Sequence, residues 1–212
     1  MISILMFFSP ALVFATELGP CSKDLTYNGA FEIQAKPIID TARLELRTLQ
    51  PGEDSKESLG AVLNDPKIKA EWIAAGLWND DVVTKTYEEL SKGATHWGEP
   101  YNAIKQNLVI VEKSSGKIVG LFHSTLFSDI EKIGIGFELI ESARGKGYAT
   151  ESVRGYLSYL EIRERAHFFA ATFQDNEQSI NVLRKTGFEQ ADRRERPDGK
   201  IDLYFVRAPS ER

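Results

Sequence analysis

Polar and apolar positions alternate over residues 41–47. Leu44 and Leu46 fall on one side and Arg43, Glu45 and Arg47 on the other, the pattern of a half-buried strand. Pro51-Gly52 then turns the chain. Residues 58–63 read as a short helix closed by Asn64-Asp65-Pro66, and Ile68, Trp72, Ile73 and Ala75 recur at helical spacing. Val83, Tyr87 and Leu90 at i, i+4 and i+7 predict a third helix over about 82–92, capped by Asp80 or Asp81. Residues 108–111 form an apolar strand, Ser114-Ser-Gly-Lys117 a hairpin turn, and 118–127 the returning strand. Strict alternation puts Ile118, Gly120, Phe122 and Ser124 on one face of that strand, and Val119, Leu121, His123 and Thr125 on the other.

The next stretch organises the rest. An apolar run over 133–140 leads into Arg144-Gly-Lys-Gly147, and an amphipathic segment starts at Tyr148. Ala149, Val153, Tyr156, Leu157 and Leu160 make its stripe, with Thr150, Glu151, Arg154, Ser158 and Glu161 away from it. Strand, glycine turn and helix follow in that order. The unpartnered N–H groups of the helix N-terminus carry partial positive charge and suit a phosphate or pyrophosphate. Residues 167–173 are another strand, and 177–185 a short helix with Asp175 as N-cap and Gln178 closing a capping box. Gly187 is its left-handed cap. Two strands, 188–194 and 201–206, close over Pro197-Asp-Gly199. Strands interleaved with helices in this order predict an α/β (α+β) fold around one mixed sheet.

Composition narrows the chemistry. At 212 residues, one domain with an extension is expected. A net charge of −5 argues against general nucleic-acid binding. A lone cysteine, Cys21, excludes an intrachain disulfide and zinc sites built on paired cysteines, and the three histidines are far apart, so no metal is expected. Residues 2–14 are almost wholly apolar, and Val13-Phe-Ala15 has the small-residue look of a signal-peptidase site, yet no Lys or Arg precedes the run. The run is short for a bilayer span, so a membrane partner is not expected. Pro20 excludes a lipoprotein reading of Leu18-Gly-Pro-Cys21. Two readings stay open: a secretory or periplasmic leader over 1–15, or an extension of a cytoplasmic protein. The domain boundaries are then 1–36 for the extension and 37–209 for one folded unit.

Arg144-Gly-Lys-Gly-Tyr-Ala149 resembles the R/Q-x-x-G-x-G/A signature of the GNAT acetyltransferase superfamily. Gly147-Tyr-Ala-Thr-Glu151, Asn176-x-x-Ser179 and Lys185-Thr-Gly-Phe188 resemble elements of its RimJ/RimL-like branch, and residues 37–47 its opening strand. The resemblance runs from about 37 to 209. It implies a GNAT-like mixed, splayed central sheet flanked by helices, with acetyl-CoA as co-substrate. The pantetheine arm would lie along the strand end at Leu139 and Ile140, and the pyrophosphate on Arg144, Gly145, Lys146, Gly147, Tyr148 and Ala149. Lys146 either adds a charge contact or stands solvated in its turn.

The resemblance further implies an N-acetyltransferase moving acetyl directly to a primary amine, on a protein N-terminus or a small molecule, as monomer or homodimer. Glu138 is the candidate base, its alternative a carboxylate that faces solvent or pairs with an arginine. Asn176 matches the residue that bonds the pantetheine arm, and also suits a helix cap. Ser179 matches a hydroxyl near the sulfur, or is a helix-surface serine. Many relatives carry a tyrosine four residues before the Gly-Phe pair; here Leu183 stands there, which shifts weight to Ser179. His123 reads as a structural histidine near the acceptor side. Trp72, Trp78 and Trp97 fall in the region that shapes acceptor entry, or pack in the core. The alternative function is a non-catalytic acyl-CoA-binding or partner-binding module on the same fold.

Overall fold

The stretch expected to be one opening strand, residues 37–47, forms two strands, and the alternating residues contribute the second of them. β1 (Ile38–Asp40) turns at Thr41 and returns antiparallel as β2 (Leu44–Arg47). The Thr41 N–H donates to the Leu44 carbonyl at 2.9 Å, and Thr41 Oγ1 accepts the Leu44 N–H at 3.0 Å, so one side chain closes the hairpin. The computed structural model describes residues 37–74, 78–92, 95–97, 103–127, 132–161 and 167–208. The expected extension, 1–36, lies outside the described residues.

Three helices follow. α1 (Lys56–Leu63) starts two residues before its apolar pattern, because Ser55 caps it by accepting the Ser58 N–H at 3.1 Å. α2 (Pro66–Ala74) opens on a proline, which needs no N–H partner there, and Asp65 accepts from Lys67 and Ile68 N–H at 3.1 and 3.3 Å. α3 (Val82–Lys92) spans the expected residues and buries Leu90 as its spacing predicts, but it is Val82 that is buried with it, while Val83 and Tyr87 are only half-buried against the same core. β3 (Thr95–Trp97) pairs with β4 (Ala103–Glu112), so Trp97 lies on a strand and not in the helical region expected for it. β5 (Lys117–Phe127) and β6 (Lys132–Leu139) come next, then a 3₁₀ turn at Glu141–Ala143 and α4 (Tyr148–Glu161). β7 (His167–Phe173), α5 (Glu177–Lys185), β8 (Glu189–Glu195) and β9 (Ile201–Arg207) complete the order.

Among the described residues nine strands form one mixed sheet, ordered β1-β2-β4-β5-β6-β7-β9-β8, with β3 on the β2 side of β4. β6 and β7 are its parallel pair, and they are joined only at Lys132–His167, Ile133–Phe168 and Gly134–Phe169. Beyond Gly134 the two strands part, while β6 stays paired with β5 up to Leu139. This is the splay the resemblance implies. One sheet face packs Val153, Tyr156, Leu157 and Leu160 of α4 with Ile180 and Leu183 of α5. The other packs Leu59, Val62, Ile68, Trp72 and Leu90 of α1–α3.

Strict alternation fails at the start of β5. The register slips between the pairs Ile110–Gly120 and Val111–Ile118, so Val119 is an extra residue opposite β4. Ile118 therefore packs with Leu121 on the α1–α3 face, and Val119 with Phe122 on the other. Arg47, expected outside, is buried in a bidentate pair with Asp54 (2.6 and 3.0 Å). The cap of α5 is Asn176 and not Asp175: its side chain accepts the Ser179 N–H at 3.3 Å. Gly187 does end α5 in the left-handed region (φ 83°), and Phe188 N–H returns to the Leu183 carbonyl at 3.0 Å. No helix of the described residues is long and apolar enough to cross a membrane.

Candidate active site

The splay opens a cleft of about 280 Å³. Its floor is Phe137, Glu138 and Leu139 of β6. One wall is the 144–150 turn and first turn of α4; the opposite wall is Asn176, Gln178, Ser179 and Val182 on α5. Lys67, Ile68 and Glu71 of α2 border it. Of the expected cofactor-binding residues, Leu139, Arg144, Gly145, Gly147, Tyr148, Ala149 and Asn176 line this cleft, as do Glu138 and Ser179. Ile140 and Lys146 do not: Ile140 packs between the two cores, and exposed Lys146 lies beside the Tyr148 ring.

The glycine turn is shaped for an anion. Gly145 and Gly147 hold φ of 73° and 81°, a conformation that costs other residues about 1–2 kcal/mol. The first helical bond of α4 runs from Glu151 N–H to Gly147 carbonyl (3.0 Å), so the N–H groups of Tyr148, Ala149 and Thr150 precede it and carry the helix's positive end. Strand alternation directs the backbone of Phe137 and Leu139 toward the open edge, since Ile140 N–H is tied to β5 through Val119 carbonyl at 3.0 Å.

Arg144 has another task than meeting an anion. Its Nε donates to the Leu139 carbonyl at 2.9 Å, and its Nη2 pairs with Asp65 at 2.5 Å. Asp65 also accepts the Glu141 N–H at 2.7 Å, so one carboxylate ties the start of α2 to the turn. Burial pushes the Asp65 carboxyl up, but its bonds from Glu141, Arg144 and Ile68 hold it below the usual carboxylate range. From outside, Arg43 Nη1 donates to the Lys146 carbonyl at 2.9 Å while its Nε bonds Glu151 at 2.7 Å. Burial likewise opposes ionisation of Glu151, and bonds from Thr41 and Arg43 outweigh it, so that carboxyl too lies below its usual range. The Tyr148 hydroxyl is committed to Glu112 at 2.6 Å, so its ring lines the cleft but its proton is held elsewhere.

Glu138 enters from the α1–α3 face. It is 5% exposed, and Trp72 Nε1 donates to its two oxygens at 3.2 and 3.3 Å. His123 Nε2 lies 3.9 Å from Glu138 Oε2, and Asn107 Oδ1 lies 2.9 Å from His123 Nδ1. Leu183, in the place of the frequent tyrosine, is fully buried and offers no proton; Ser179 faces the cleft one turn earlier on α5. Trp78 is half-buried against the α1–α3 core, with Lys69 over its ring at 4.6 Å. Sequence reading missed Trp72 as the carboxylate's donor, along with Asp65 and Arg43 as the clamps on the turn. Each lies tens of residues away from its partner, beyond the reach of any local pattern.

No curated protein matches the chain by sequence. Solved structures do resemble its fold. A GNAT-family acetyltransferase from Bacillus anthracis superposes with a TM-score of 0.67 at 16% identity, over 82% of this chain and all of that one. RimL, a ribosomal-protein alpha-N-acetyltransferase solved with coenzyme A, gives 0.64 at 17% over 81% and 98%. The microcin C7 self-immunity acetyltransferase, solved with acetyl-CoA and AMP, gives 0.58 at 18% over 79% and 93%. The family model described as acetyltransferase (GNAT) domain matches residues 43–189, from the β1–β2 turn to the first residue of β8. The chain therefore belongs to the GNAT acetyltransferase family and is an N-acetyltransferase.

Proposed function

We propose that the protein moves an acetyl group from acetyl-CoA directly to a primary amine, with both substrates bound together and no acetyl-enzyme. The observation that carries this reading is one continuous cleft: the α4 N-terminus lies on one wall, Asn176 and Ser179 on the other, and the buried Glu138 carboxylate in the floor. The pyrophosphate fits the N–H groups of 145–149, with Lys185 at the cleft's rim adding charge. The pantetheine fits the open backbone edge at Phe137 and the Leu139 N–H, with the Asn176 side chain opposite. Glu138 takes protons from the amine, directly or through water, and Ser179 donates to the departing thiolate. Juxtaposing amine and thioester supplies much of the rate.

Two relatives of the fold carry coenzyme A or acetyl-CoA, and one acts on a ribosomal protein's α-amine, which favours a protein N-terminus as acceptor in the manner of the RimJ/RimL-like branch. Residues 37–209 form the transferase unit and 1–36 an extension. Acetyl-CoA supply makes the cytoplasm the working compartment. The test is transfer of radiolabelled acetyl to peptide N-termini, polyamines and amino sugars, with acetyl-CoA binding followed by calorimetry. Saturable binding with turnover is expected. Absence of saturable binding overturns the reading, and binding without turnover on any amine leaves the non-catalytic module.

A further inference from the structure

We propose that His123 is a proton relay that acts through Glu138, taking the first proton from the amine so that Glu138 is free to take the second. The inference rests on Glu138 as the base. An amine arrives as an ammonium and leaves as an amide, so the nitrogen loses two protons. One leaves before attack, giving a neutral nucleophile. The other leaves the tetrahedral intermediate as the C–N bond has formed and the C–S bond breaks. The departing thiolate takes up one proton, and the other goes to solvent. A single carboxylate that keeps the first proton has nowhere to put the second.

The geometry supplies the missing site. His123 is 7% exposed and Glu138 5%, and both lie on the α1–α3 face of the sheet. The carboxamide oxygen of Asn107, 2.9 Å from Nδ1, is an acceptor only, so Nδ1 carries the hydrogen and Nε2 is the nitrogen left to take up a proton. That nitrogen is 3.9 Å from Glu138 Oε2, within ion-pair reach, and catalytic contacts of this kind are commonly longer without substrate than with it. Passing the proton from Glu138 to Nε2 restores the carboxylate and leaves an imidazolium beside it, a pair stabilised by its own charges. Trp72 Nε1 holds the two carboxylate oxygens meanwhile. Among the described residues, β4 places Lys105 two residues before Asn107 on the same side, and α2 brings Lys67 and Glu71 to the border of the cleft that Glu138 lines. Burial pushes the Lys105 ammonium down to about 8 against the pull of Glu89.

The experiment compares His123→Gln, Glu138→Gln and the double variant with a peptide α-amine or polyamine accepted in the panel above. Acetyl-CoA affinity is measured by calorimetry in each. For His123→Gln, turnover is expected to fall about tenfold or more near neutral pH with acetyl-CoA affinity unchanged. The loss should shrink as pH rises above the acceptor's own titration, about 8 for an α-amine, because the amine then arrives neutral. The loss from Glu138→Gln should persist at every pH, and adding His123→Gln to it should cost nothing more. The series is repeated on Lys105→Met, which removes the ammonium that burial brings down to about 8. Asn107→Leu keeps the imidazole but frees its tautomer, and should reproduce the pH-dependent loss in smaller degree. A His123→Gln deficit that is equal at all pH values, or that remains in the Glu138→Gln background, overturns the relay and leaves a packing role. A parent-like His123→Gln beside a slow Glu138→Gln overturns the relay alone. A fully active Glu138→Gln overturns the base reading, and the relay with it.

Discussion

A carboxylate buried to the extent of Glu138 stays charged only where the surroundings replace its water, and the Trp72 indole N–H does part of that. Exchanging it for an amide keeps the shape and the Trp72 contact but removes the basic oxygen. Glu138→Gln is therefore expected to lower kcat by about 10²-fold or more while acetyl-CoA affinity by calorimetry stays within about twofold. Parent-like turnover would remove Glu138 as base. Gly120 is the neighbouring constraint. It stands where β5 bulges, and a Cβ built on it would meet the Glu138 carbonyl oxygen at 2.1 Å and Leu139 Cδ2 at 2.7 Å. Backbone cannot give way there without moving the cleft floor. Gly120→Ala should cost about 2 kcal/mol or more in urea unfolding and weaken acetyl-CoA binding as well. A variant as stable as the parent would show that β6 has slack at this point. The sequence singled out Glu138 through its place in the family pattern, and the structure puts that residue in the cleft lining. Its donor was not legible, because Trp72 stands 66 residues earlier and the contact exists only once α2 lies across the sheet.

At the scale of elements, the glycine turn is not shaped by its own residues alone. Asp65 holds it from α2 and Arg43 from the β1–β2 turn. The folded Asp65 carboxyl lies below its usual value, so its contribution to stability is complete above the unfolded value, near pH 4, and is lost as pH falls through the folded one. Asp65→Asn keeps an acceptor for the α2 N–H groups but loses the charge. It should cost about 2 kcal/mol at neutral pH, and the difference from the parent should be flat from about pH 8 to 5 and shrink toward pH 3 in urea titrations. A difference independent of pH would mean that the carboxylate's charge is irrelevant to the clamp. The elements themselves were largely legible, because periodicity and caps are local: α3, α4, β7 and the β8–β9 hairpin lie where the pattern puts them. What the pattern misread were places where one residue departs from its neighbours. The Thr41 side chain turns a strand into a hairpin, Val119 adds a residue and reverses the alternation before it, and Arg47 finds a buried acid seven positions on. In the α5 cap, Asp175 and Asn176 are both good capping residues, and only the chain's path out of β7 chooses between them.

At the scale of the whole molecule, the described residues form two sheet halves that share a core but meet through three residue pairs at β6 and β7. A ligand lying in the gap takes up the edge of β6 and the N-terminal turns of α4 and α5 together, so binding should tighten the junction and not merely fill a hole. Saturating acetyl-CoA at about 100 times its Kd adds about 2.7 kcal/mol to stability by mass action, which for a chain of this size is a rise in Tm of about 5–10 °C. Hydrogen exchange should slow at residues 135–139 and at the first turns of α4 and α5, with little change in α1 or α3. Two variants divide binding from chemistry. Glu138→Gln should keep the whole thermal shift. Gly145→Asp should lose most of it: aspartate tolerates the left-handed backbone of that position (φ 73°) better than most residues, and a Cβ there meets nothing within 4 Å, so what the substitution adds to the cleft wall is chiefly a negative charge facing the phosphates. A full shift in Gly145→Asp, or protection that appears away from 135–139, would place acetyl-CoA somewhere other than the splay.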